Sequence, residues 1–133
     1  MIANFSDGLR IFLHVLGATV WVGGQLVLAA LVPVLRKNGE DLPRKVAAAY
    51  NRIAWPAYFL LILSGMWNLS NLPADANAQY HAVLGVKFIL VAISGIAAYV
   101  HTRAKSSVQI ALWGALSGTS ALAALYVGVL LAG

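Results

Sequence analysis

A chain of 133 residues is short enough for one domain, but 61% hydrophobic and 10% charged residues exclude a water-soluble one, since soluble domains carry ~25% charged residues. A mean hydropathy of +0.81 excludes disorder as well, because disordered chains are apolar-poor and charge-rich. With no cysteine there is no disulfide, thiolate metal site, iron–sulfur cluster or cysteine nucleophile, and the net charge of +5 sits on loop residues beside apolar runs, which reads as membrane topology and not as a nucleic-acid surface.

Four membrane-spanning helices are predicted, over about residues 9–35, 47–70, 82–102 and 107–131. Each reaches the ~20 residues that a helix needs to cross the hydrocarbon layer. The first is uncharged from Ile11 until it ends at Arg36 and Lys37. The second contains AWPAYFLLILSGMW, the third has Lys87 as its formally charged residue, and the fourth is charge-free. Strands are excluded because the alternation of a barrel is missing and a lone strand cannot satisfy its backbone in lipid. Residues 71–80, with Pro73, Asp75 and Asn77, form the polar loop between the second and third spans. Short connections favour antiparallel neighbours, so the expected fold is all-α: a single-domain, integral membrane four-helix transmembrane bundle without internal repeats.

The first apolar run is far longer than the ~7–15 residues of a signal-peptide core, and Asp7 stands where a basic region is expected, so it is read as a retained span. Arg36, Lys37, Arg44, Lys45 and Arg52 lie between spans one and two, and Arg103 and Lys105 between three and four. Only Arg10 stands on the opposite side. Basic loops stay cytoplasmic, so both termini are expected outside, in a bacterial inner (cytoplasmic) membrane.

Ionisable side chains at membrane depth are costly and point to function. His14 and Lys87 each lie about five residues below the outer end of their span, roughly 7–8 Å inward at the helical rise. Met66 is expected at a similar level. At helical spacing His14 shares a stripe with Arg10, Gly17, Ala18, Trp21 and Gln25. The Gly17/Ala18 notch would admit a flat ligand or a neighbouring helix. Gly114 and Gly118 form a GxxxG packing seam. Structural readings stand beside these: a helix-bonding His14, a snorkelling Lys87, Met66 as core filler, His101 at the interface, His81 at a loop rim, and tryptophans as belt or packing residues. No Asp or Glu lies within a span, which argues against a carboxylate-driven ion carrier.

At FLHVLGATVWVGG the chain resembles the opening helix of the copper resistance protein D (CopD) family, through Leu13-His14, Trp21 and Gly23-Gly24. The following LVPVLR, the LGVK of Leu84 to Lys87 and, more weakly, RIAW…LSGMWNL of span two are similar too. HemJ-type protoporphyrinogen oxidases have a related pattern, a first-helix histidine with a lysine on a later helix. The resemblance implies a metal or haem site at His14 with Lys87 as its neighbour.

Two chemistries are then open. A b-type haem needs an imidazole, a slot between helices and cations for its propionates; His14, the Gly17 notch, Trp21, Arg10 and Lys87 would supply them. Such a protein would move electrons or oxidise a small hydrophobic substrate of the porphyrinogen or quinol kind. A copper site would draw on His14, Met66 and His81, but copper prefers several converging soft or imidazole ligands. The chain has three His and two Met in all, and the Lys87 cation suits carboxylates better than copper, which favours haem. A third reading is a non-catalytic structural or accessory bundle. Four helices barely enclose a porphyrin, so haem binding implies a homodimer within the lipid bilayer.

Overall fold

The computed structural model describes residues 2–133. The elements are α1 (Phe5–Ala18), a five-residue π-helical turn (Thr19–Gly23), α2 (Gly24–Asn38), α3 (Leu42–Leu69), α4 (Ala78–Arg103) and α5 (Ser107–Ala132). Among the described residues there is no strand. The first two helices and the turn run on as one span, Phe5–Asn38, so the all-α chain has four helices long and apolar enough to cross a membrane.

Three of the helices begin at polar side chains that cap them. Asn4 accepts the Asp7 N–H at 2.9 Å, Asn77 that of Tyr80 at 2.9 Å, and Ser106 that of Gln109 at 3.2 Å. Capping carries α1 and α4 about a turn beyond the charge-free runs that the hydropathy marks. α3 starts with Pro43 in its first turn, where a missing N–H costs nothing. Pro33 and Pro56 lie inside helices; spanning helices tolerate this where neighbours re-satisfy the freed carbonyls.

The chain forms two compact units, one ending at Leu72 and the other Pro73–Gly133. In the first, α1 and α2 both pack on α3. Its buried residues are Trp21, Val22, Ala54, Ala57, Tyr58, Leu61 and Ser64. The second is the α4–α5 hairpin, with Ser94, Ala97, Ser117, Ser120, Ala121 and Ala124 buried. The second interior is built of small and hydroxyl side chains and the first adds Trp21, Val22, Tyr58 and Leu61 to them, while Phe12, Phe59, Leu63, Ile89, Ile96, Leu112 and Val129 are exposed. Lipid solvates large apolar groups as well as a protein interior does, so helices associate through close backbone approach and interhelical hydrogen bonds. Ser94 Oγ–H donates to the Ser117 carbonyl and Ser117 Oγ–H to the Ser94 carbonyl, both at 2.9 Å, which closes the α4–α5 seam reciprocally. Lower on that seam His101 Nδ1–H donates to the Ile110 carbonyl at 2.7 Å. A Cβ on Gly114 would lie 3.0 Å from that ring, so this end of the GxxxG is used within the hairpin.

Candidate functional site

α1 and α3 run antiparallel, so residues stepping up α1 meet residues stepping back along α3. Arg10 meets Asn68, His14 meets Ser64, Gly17 meets Ala57 and Leu61, and Trp21 meets Tyr58. The stripe expected from helical spacing is therefore the α3-facing side of α1.

At the start of this ladder Asn4 Nδ2–H donates to Asp7 at 2.8 Å, and Asp7 pairs with Arg10 at 3.1 Å. Arg10 also donates to the Asn68 side chain, and its own side chain is only 13% exposed. The guanidinium is thus fixed in place one turn before His14.

The His14 Nδ1 lies 2.9 Å from the Ser64 Oγ. Ser64 is 3% exposed, and its single hydroxyl proton goes to the Leu60 carbonyl at 2.7 Å, with Leu61 at 3.1 Å. With the proton so engaged the oxygen accepts from Nδ1–H, so this arrangement suits the tautomer protonated at Nδ1. A neutral ring then carries its lone pair on Nε2, the nitrogen through which it would ligate a metal ion. Gly65 makes room for the ring, because a Cβ there would already touch Cε1 at 3.4 Å.

Gly17 is buried, and a Cβ on it would meet the Ala57 carbonyl at 2.9 Å and the Leu61 nitrogen at 3.1 Å. The notch is filled by helix α3, the second of its two expected occupants. Trp21, 3% exposed, lies 4.5 Å from the Tyr58 ring and 5.3 Å from Trp55, so it is the centre of an aromatic cluster. It sits in the π-helical turn, where a wider winding displaces carbonyls from the regular ladder. The Tyr50 hydroxyl donates to those of Val20 and Trp21, at 3.0 and 3.1 Å.

In the second unit Lys87 is half-buried along the α4–α5 seam, with Nζ 3.1 Å from where a Gly128 Cβ would be. Glycine there makes the space that the ammonium group occupies. Among the described residues no carboxylate pairs with it. Met66 is 59% exposed and two residues past Ser64, roughly 200° around α3, so it does not join His14. His81 is exposed in the first turn of α4, edge-on to Tyr80 at 6.1 Å. Among the described residues no three His, Cys, Asp or Glu gather closely enough to hold a metal ion. A cleft of about 580 Å³ lies in the second unit beside Tyr80, Val83 and Leu130, and one of about 370 Å³ lies between α2 and α3. Neither is lined by Arg10, His14, Trp21 or Lys87.

Sequence reasoning passed over Ser64, Gly65, Asn68 and Tyr50, and read Gly128 as part of a packing seam without its place beside Lys87. Antiparallel pairing of the first two spans was the available signal, since it opposes the polar residues of the first to Ser64 and Asn68 of the second.

Over 97 residues the chain is 33% identical to an uncharacterized protein of Aquifex aeolicus (strain VF5), a match covering 68% of this chain. The chain spans 66% of the length of that relative. No family model and no solved structure matches.

Proposed function

We propose that this is a b-type haem-binding integral membrane protein in which His14 is an axial ligand, acting in electron transfer or in oxidation of a small hydrophobic substrate of the porphyrinogen or quinol kind. The observation that carries the reading is the His14–Ser64 hydrogen bond, which suits a ring protonated at Nδ1, one turn from the Arg10 guanidinium. An imidazole oriented from behind by a hydrogen-bond acceptor is the usual state of a ligating histidine. A bound haem would supply one-electron chemistry at its iron. One imidazole meets a haem's need for a ligand, whereas copper calls for several; the slot that a haem also needs is not the Gly17 notch, which α3 fills.

The chain's own residues have separate tasks. His14 would hold the iron of a bound haem, and Ser64 orients the ring. Arg10 has five N–H donors, of which Asp7 and Asn68 engage part, so it can still receive a carboxylate. Lys87, in the second unit, is a half-buried cation to which an acid group would bind. Gly17 and Trp21 hold α1 against α3 and so act on His14 through its position. The likeness of the His14 and Lys87 segments to the CopD and HemJ-type families supports this reading. Basic residues at the helix ends support termini outside a bacterial inner membrane, and a single axial histidine supports a homodimer.

The test is the haem content of wild type and His14→Ala, purified from haem-replete cells and checked for equal helicity. Wild type should carry haem and the variant should lose it. A folded His14→Ala with full haem would refute the assignment, and a dimer-free native mass spectrum in mild detergent would refute the homodimer.

A further inference from the structure

We infer that the groove between α2 and α3 holds an acyl chain of an anionic phospholipid, whose phosphate is held by the basic turn joining these helices. The groove, about 370 Å³, is lined by Val20, Val27, Leu28 and Leu31 from one side and Val46 and Ile53 from the other. Along the first span this lining extends from Val20 in the π-helical turn to Leu31 in α2, roughly 16 Å at the helical rise, which matches most of a membrane acyl chain.

Two lining residues have polar side chains, and both are already bonded. The Thr19 hydroxyl donates to the Val15 carbonyl at 2.8 Å, and Tyr50 to Val20 and Trp21. Water held in such a groove would find too few polar partners, so the fitting occupant is hydrocarbon.

Cations stand at the groove's end. Arg36 follows Leu31 by five residues, roughly 7–8 Å along the helix, and Arg44 and Lys45 directly precede Val46. Arg36, Lys37, Arg44 and Lys45 are all exposed, and they outnumber the two carboxylates of the turn, Glu40 and Asp41. Among the described residues none of the four is ion-paired, the pair present being Arg10–Asp7. Unneutralised cations a few ångströms beyond a dry apolar groove match a lipid with its phosphate at the headgroup level and its chain between the helices. Free phosphate would use the cations but leave the groove unexplained.

The experiment is reconstitution in nanodiscs of equal phosphatidylcholine and phosphatidylglycerol, re-extraction in mild detergent, and quantification of the retained lipid by native mass spectrometry. Wild type should retain phosphatidylglycerol preferentially. Arg44→Gln/Lys45→Gln should lower that preference by roughly fivefold per charge removed. Val27→Trp, at a 59% exposed position that tolerates bulk, should lower retention by filling the groove. Equal retention of the two lipids by wild type overturns the proposal, as does full preference in the double variant. Unchanged retention in a folded Val27→Trp also overturns it, since the attraction is then to the charges alone.

Discussion

Replacing Gly17 with alanine tests the closeness of α1 and α3 on which the placement of His14 depends. The new Cβ would lie 2.9 Å from the Ala57 carbonyl and 3.1 and 3.2 Å from the nitrogen and Cα of Leu61. All three are backbone atoms, so no side chain can rotate aside and α1 must move off α3. Overpacking of this kind costs ~1–3 kcal/mol, offset by up to ~1 kcal/mol from alanine's better helix propensity. Gly85→Ala makes the same exchange inside α4, where nothing lies within 4 Å of the new Cβ. It should gain that propensity in full, so the difference between the variants isolates the contact at ~1–3 kcal/mol. Denaturant unfolding in detergent micelles, followed by far-ultraviolet circular dichroism, reads both. Equal midpoints for the two variants would refute the close approach and, with it, the His14–Ser64 contact one turn away.

Ser64→Ala removes the acceptor of the Nδ1 proton without changing the backbone, and haem titration should show affinity ~10–100-fold weaker with helicity unchanged. Tyr50→Phe leaves the Val20 and Trp21 carbonyls without their hydroxyl donor and should cost ~0.5–1.5 kcal/mol in a thermal melt, whereas Tyr126→Phe, 65% exposed, should cost nothing measurable. Ser94→Ala and Ser117→Ala, combined in a double-mutant cycle of unfolding, should couple by ~0.6 kcal/mol or somewhat more, as membrane-embedded hydrogen bonds do. Lys87→Met breaks no ion pair among the described residues and should unfold at the wild-type midpoint; a clearly lower midpoint would show that the ammonium group itself holds the α4–α5 seam.

The four spans were legible because charge-free runs of spanning length have few alternatives in lipid; the structure extends the first and third at their starts, where Asn4 and Asn77 cap the backbone, and starts α3 five residues earlier, at Leu42, with Pro43 in its first turn. The α3-facing stripe of α1 was legible too, since Arg10, His14, Gly17 and Trp21 follow one helical period. Its partners were not. Ser64 and Met66 are two residues apart, and only the register of the hairpin decides which of them faces His14. The π-helical turn was equally hidden. Its winding depends on Tyr50 satisfying the Val20 and Trp21 carbonyls from 29 or 30 positions away, which no local pattern announces. The Gly17 notch was readable as a site of close approach, but whether a ligand or α3 fills it is a tertiary fact.

The most direct test of the account is the visible spectrum of the purified protein, oxidised and then reduced with dithionite, with metal analysis on the same sample. A Soret band that sharpens into reduced α and β bands, with iron in proportion to protein, is the result predicted. A featureless spectrum from haem-replete cells would contradict it.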